Sequence, residues 1–149
     1  MGTSRLPLDQ DWRVLATAHP NVLVSGTDIA VDDVLRTLRG VCRQPVVTCW
    51  AADPLVLASP PPSGTLILRG VDALSLESQR RLLAWLEDAD GCAQVISTSA
   101  EPLGPRREAG IFLDLLYYRL NVVYFPLSQQ QDADTDTYPT QEPPRPAYW

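Results

Sequence analysis

The sequence predicts an α/β fold with a five-stranded parallel sheet flanked by helices in three layers. Two observations carry the prediction. Short β-rich runs alternate with stretches of helical periodicity, the pattern of βαβ units whose sheet is covered on both faces. A chain of 149 residues with 45% hydrophobic residues is long enough for one domain with a real core and too short for two.

The elements follow in order. An N-terminal segment, residues 1–18, is expected to hold an opening helix over residues 11–18. The main domain spans residues 19–127, with strands expected at 21–25, 45–50, 65–69, 93–98 and 121–125. Between the first two, Val31, Val34, Leu35, Leu38 and Val41 recur at helical spacing behind a Thr27 or Asp28 cap, with Gly40 near the end. A second helix is expected from Ser75, with Leu76, Leu83 and Leu86 on its apolar side and Gly91 as its stop, while Arg80, Arg81 and Glu87 face water. A third, from Gly110 to Leu120, presents Leu113, Leu116, Tyr117 and Leu120. After Leu127 the composition shifts to Gln, Asp, Thr and Pro, and residues 128–149 are expected to be a disordered tail.

Charge narrows the function. The net charge is -6, and all basic residues are Arg, so no chemistry that needs an ammonium side chain is available. An acidic chain without a basic run is not expected to bind nucleic acid directly. Cys42, Cys49 and Cys92 are odd in number and widely spaced, which suggests neither a disulfide framework nor a zinc site. Without an apolar N-terminal stretch or a run long enough to span a bilayer, no membrane contact is expected, and a cytoplasmic location is.

The run from Gly64 to Leu127 carries a more specific signal: Gly64-Thr65-Leu66-Ile67-Leu68, then Leu74-Ser75-Leu76-Glu77-Ser78-Gln79-Arg80-Arg81-Leu82-Leu83, then Asp114-Leu115-Leu116-Tyr117-Tyr118-Arg119-Leu120-Asn121-Val122. It resembles the central AAA+ domain of the sigma-54-dependent transcription activators, the bacterial enhancer-binding proteins. Upstream, Pro45-Val46-Val47-Thr48-Cys49 is similar to the family's second strand. The resemblance covers about four-fifths of the chain. It implies a P-loop-like core, here without the helical lid domain or the C-terminal helix-turn-helix.

The resemblance also shows what is missing. The family's phosphate loop, Gly-Glu-x-Gly-Thr-Gly-Lys-Glu, corresponds to Gly26-Thr27-Asp28-Ile29-Ala30-Val31-Asp32-Asp33, so only Gly26 of the pattern is kept. Ile29 and Val31 stand where glycines allow a left-handed backbone, at a cost of about 1 to 2 kcal/mol each. Asp32 stands where the lysine meets the phosphates. One like-charge contact near 4 Å costs about 4 kcal/mol at an effective dielectric of 20, against about 8 kcal/mol for a micromolar affinity. Arg69 and Gly70 replace the Asp-Glu pair that serves magnesium and the attacking water. Asp72 and Glu77 lie past the strand, where a solvated loop and a first helical turn are expected. Ser99 replaces the polar sensor residue.

Of the family's paired arginines, Leu113 and Arg119 occupy the positions. Arg119, with Tyr117 and Tyr118, is therefore the candidate subunit-interface or arginine-finger-like group, against a plainer expectation of local packing and salt bridging. Only residues 52–63, with Pro60, Pro61 and Pro62, connect the second and third strands, where the family inserts helices and a Gly-Ala-Phe-Thr-Gly-Ala loop that touches the sigma factor.

The remaining features favour plain readings. His19, the sole histidine, precedes Pro20 without a nucleophile elbow and is expected to be a loop residue. Asp32 and Asp33 suit a helix start better than acid–base catalysis. The Pro143-Pro144-Arg145-Pro146 segment with Tyr148 and Trp149 matches a docking peptide but is expected to be an ordinary tail.

The sequence therefore predicts a non-catalytic AAA+-like interaction module, regulatory in bacterial transcription or signalling. It would have no catalytic residues, cofactor or metal, and its partner would be an intact AAA+ relative or a second copy. One alternative keeps ATP and magnesium as ligands of a non-standard loop over Gly26 to Asp33. Another is a decaying fragment without selected activity.

Overall fold

The computed structural model describes residues 9–58, 63–89 and 92–127. The tail after Leu127, the docking-peptide motif, the Pro60 to Pro62 run and the Gly91 stop lie outside the described residues.

Five parallel strands form one sheet: β1 (Val22–Ser25), β2 (Val46–Trp50), β3 (Gly64–Arg69), β4 (Ala93–Ser99) and β5 (Val123–Pro126). Their spatial order is β2-β3-β4-β1-β5. All four pairings are parallel, with Val22 opposite Ile96 and Val123, and Val46 opposite Thr65. The helices are α1 (Asp9–Ala18), α2 (Asp28–Leu38), α3 (Leu76–Ala89), α4 (Gly104–Glu108) and α5 (Asp114–Leu120), with a 3-10 turn at Val71–Ala73.

Alternation along each central strand divides the core in two, because successive side chains leave opposite faces of the sheet. Leu23, Leu66, Leu68 and Val95 point to one side, where Leu82, Trp85 and Leu86 of α3 and Leu116 and Leu120 of α5 cover them. Val22, Val24, Ile67, Ile96 and Phe125 point to the other, against Val31, Val34, Leu35 and Leu38 of α2 and Leu15 of α1. Three layers result, as the sequence predicts. Leu15 is almost fully buried, so α1 belongs to the same core and not to a separate N-terminal segment. No described helix is long and apolar enough to cross a membrane.

Two expectations need correction. The last helix begins at Asp114, not Gly110, because Gly110 takes a left-handed φ of 82° and ends the unanticipated short helix α4. The core face of α3 is Ser78, Gln79, Leu82, Trp85, Leu86 and Ala89, whereas Leu76 and Leu83 are only half-buried. Gln79 is missed by a search for apolar spacing. Its buried amide donates to the carbonyls of Leu74 and Ile111 and accepts the Leu113 N–H at 2.8 Å, which fixes the start of α5.

Gly64 opens β3 at a φ of 125°, and a β-carbon there would lie 2.7 Å from the Pro45 carbonyl oxygen. Backbone on both sides leaves nothing flexible to yield. Gly64→Ala is expected to destabilise the fold by about 2 kcal/mol, read as a lower urea midpoint with an unchanged slope.

Candidate functional site

The C-terminal ends of β1, β3 and β4 face the start of α2, the place where open α/β sheets carry ligands. β1 ends at Ser25, and only Gly26 and Thr27 precede α2. The Gly26 N–H donates to the Ser99 carbonyl at 3.0 Å. Thr27 is the N-cap, its hydroxyl accepting the Ala30 N–H and its carbonyl accepting the Val31 N–H. Ile29 and Val31 thus lie inside an ordinary helix, Ile29 pointing to solvent and Val31 into the core. Two amides of the segment aligned with the phosphate loop are already satisfied within the helix.

Asp32 does not sit at the helix start as the sequence suggests; it is one turn further on, and its carboxylate meets Arg69 Nη1 at 2.7 Å. Asp28 lies 3.8 Å from Nη2 of the same guanidinium, and Asp33 pairs with Arg36 on the surface. Arg69 is 13% exposed and lies under Trp50, its guanidinium carbon 4.7 Å from the ring centroid. Trp50 is its register partner on β2. Burial of the guanidinium strengthens both contacts, yet Arg69 Nε has no hydrogen-bond partner among the described residues. With Asp32 half-exposed, the ion pair contributes about 1 kcal/mol.

The two positions hold the reverse of the charges that the resemblance implies. A carboxylate on α2 replaces the lysine, and a guanidinium on β3 replaces the aspartate. Each would repel its former ligand, and each neutralises the other. Asp28, Asp32 and Arg69 together carry one net negative charge, which disfavours a polyphosphate.

The neighbouring positions are closed as well. Gly70 takes a left-handed φ of 81°, a conformation costly for the glutamate expected there. Its N–H is shared between the carbonyl and the hydroxyl of Thr98. Ser99 is buried, and its hydroxyl donates to the Glu101 carbonyl at 2.7 Å, so Ser25 Oγ is the donor in the 3.0 Å bond between the two serines. The serine at the sensor position is thus used internally. Asp72 lies on the 3-10 turn and Glu77 in the first turn of α3, paired with Arg81.

Arg119, Tyr117 and Tyr118 lie on α5, on the opposite layer. Tyr118 is 60% exposed, while Tyr117 packs on the core, and the two rings meet edge-on at 5.2 Å. The arginine that organises them is Arg107, whose guanidinium carbon stands 5.0 and 5.5 Å from the two ring centroids and whose Nη1 is 3.5 Å from Asp114. It was missed because ten residues separate it in sequence from Tyr117; Pro105 in the first turn of α4 was the available signal. Arg119 is exposed and forms no ion pair among the described residues, contrary to the plainer expectation of a salt-bridging residue. Leu113, at the other arginine position, caps α5 and packs against the core.

The connector after β2 is fastened to α3. Asp53 accepts hydrogen bonds from the Ser75 and Ser78 hydroxyls, and Ser78 Oγ also accepts the Leu55 N–H. Arg81 donates to the Leu55 carbonyl and Trp85 Nε1 to the Ala58 carbonyl. The hydroxyls of Ser78 and Ser75 hold the Asp53 carboxyl below the ordinary carboxylate range. Cys42, Cys49 and Cys92 are free thiols, and burial pushes Cys42 and Cys49 up, favouring the protonated form.

Comparison with known proteins follows this geometry. Residues 45–129 match the family model of the sigma-54 interaction domain. The fold is similar to NtrX from Brucella abortus in complex with ATP, at a TM-score of 0.61 and 21% identity, covering 79% of this chain and 34% of that one. The ADP complex of the same protein gives a TM-score of 0.60 at 21% identity, covering 85% and 38%. This chain thus spans little more than a third of the NtrX chains. The Drosophila origin recognition complex (ORC) bound to AT-rich DNA and Cdc6 is similar at a TM-score of 0.53 and 10% identity, covering 88% and 58%. No curated protein sequence matches.

Two outcomes test the site. In a double-mutant cycle of Asp32→Ala and Arg69→Met followed by urea denaturation, a coupling of about 1 kcal/mol is expected, weakening in high salt; additive losses would show that the two do not act as a pair. The depressed Asp53 carboxyl contributes stability above the ordinary carboxylate pKa, lost as pH falls through its folded value. Asp53→Asn should therefore flatten the acid limb of the stability profile and leave the shape above it unchanged.

Proposed function

Because the chain belongs to the sigma-54 interaction domain family through residues 45–129, we propose that it is a non-catalytic AAA+-like module that acts by binding protein in sigma-54-type transcription or signalling in bacteria. The observation that carries this reading is the Asp32–Arg69 ion pair. It puts a carboxylate where the family's lysine would meet phosphate, and a cation where its carboxylate would hold magnesium. Catalysis of phosphoryl transfer depends on positioning and charge neutralisation at those points, and both are inverted here.

The short connector supports the same reading. Its described part is hydrogen-bonded along α3, in the place where the family's sigma-contacting loop would be inserted. With neither a nucleotide cycle nor that loop, remodelling of a sigma factor is not the role. What remains is surface. The α5 face, with Tyr118 and Arg119 outward and Tyr117 beneath, is the contact region for an intact relative or a second copy.

Thermal unfolding with and without millimolar Mg-ATP tests the reading, because a ligand that binds only the native state raises its stability, by about 2.7 kcal/mol at a hundred times its Kd. The expected result is an unchanged midpoint. A rise that depends on ATP concentration would overturn the non-catalytic assignment and favour a ligand at the Gly26 to Asp33 segment.

A further inference from the structure

The chain leaves the described residues beside an exposed strip that carries acidic and aromatic character together. Leu127, the last described residue, donates its N–H to the Ser25 carbonyl at 2.7 Å, and Asp28 follows Ser25 by only three residues. Asp28 and Asp32 share one cation, Arg69, which leaves one negative charge uncompensated, and the Asp28 side chain is 85% exposed. Trp50 is held against the same guanidinium on one side of its ring, yet is 61% exposed. Ile29, next to Asp28 in sequence, is 78% exposed and adds apolar area. Further along the same face of β2, Arg39 donates to the Thr48 hydroxyl at 2.8 Å and makes no ion pair among the described residues.

We propose that the segment Glu142-Pro143-Pro144-Arg145-Pro146 of this same chain docks on that strip, with Arg145 on Asp28, its prolines against Trp50 and Ile29, and Glu142 on Arg39. Proline-rich segments suit an aromatic surface because each ring fixes φ near about −65°, so little conformational freedom is lost on docking. One turn of a polyproline helix takes three residues and about 9 Å, which puts Glu142 and Arg145 on one edge. Thr48 and Trp50, two apart on a strand, are separated by about 7 Å, and Asp28 lies beyond Trp50 across Arg69. The strip thus presents a cation and then an anion at a spacing that suits Glu142 and Arg145. Residues 128–142 are the tether; extended, they reach about 50 Å, far more than the path from Ser25 to Asp28. Docking within one molecule then proceeds at an effective concentration on the order of millimolar. A contact too weak to hold a separate peptide is enough to cover the strip. The strip lies at the start of α2 and away from α5, so the inference goes beyond the function proposed above and does not rest on it.

Backbone amide NMR relaxation of the full chain without nucleotide tests it. The Ala147 and Tyr148 amides are expected to show order parameters above about 0.6, outside the flexible range, and to keep them on dilution. Arg145→Asp and Asp28→Arg should each bring both amides below that value, while the double variant restores them because the two charges are exchanged. Ile29→Ser, at an outward position of α2, should lower them without altering any charge. Order parameters below about 0.6 in the wild type, values unmoved by the single substitutions, or a double variant as low as either single one would overturn the docking. Order that is lost on dilution would also overturn it, by assigning the docked segment to a second copy.

Discussion

Arg69 stands at the end of β3 with Asp32 of α2 on one side of its guanidinium and Trp50 of β2 over the other. Two neighbouring strands and a helix therefore meet on one cation. A lone guanidinium as buried as this would be expensive, and removal of either the carboxylate or the ring takes away part of its compensation. The pair also decides what the end of the sheet can accept. A carboxylate that occupies Arg69 is unavailable to magnesium, and a guanidinium held by Asp32 and capped by Trp50 is unavailable to phosphate. The surrounding polar groups follow the same pattern, with the Ser25, Thr98 and Ser99 hydroxyls all bonded to the protein itself. These hydrogen bonds lie at the place where open α/β sheets carry ligands.

On the non-catalytic reading proposed above, the useful chemistry lies on the surface. The helix start at Asp28 presents charge and apolar area in place of a phosphate cradle, and the connector after β2 is hydrogen-bonded along α3. The short connector lowers the entropy cost of ordering the chain between β2 and β3. The α5 region keeps an organised aromatic pair under Arg107 and an outward Arg119. The proposed binding role rests on this retained sheet and face together with the inverted charges, since fold alone confers no activity.

Much of the architecture was legible in the residues. Each strand lies within two residues of its expected start because short β-rich runs stand out between helical patterns, although only the three central strands are buried on both faces and the edge strands β2 and β5 are largely open to solvent. The start of α2 was legible through Thr27, whose hydroxyl makes the capping bond. The α5 boundary was not, because Ile111, Phe112 and Leu113 continue an apolar pattern while Gly110 breaks the backbone between two helices. Leu76 and Leu83 were misplaced because a polar side chain, Gln79, occupies the core face of α3 through three backbone hydrogen bonds. At the site, the loss of the lysine and the acidic pair was readable position by position. That Asp32 and Arg69 compensate each other was not, since 37 positions separate them in sequence; the reversal of sign at both was the available clue.

The account stands most directly on whether that pair persists when nucleotide is offered. A crystal structure grown in millimolar Mg-ATP measures it. The account predicts Asp32 and Arg69 in contact under Trp50 with no nucleotide at the start of α2. Nucleotide bound there, with Arg69 swung away from Asp32, would contradict it.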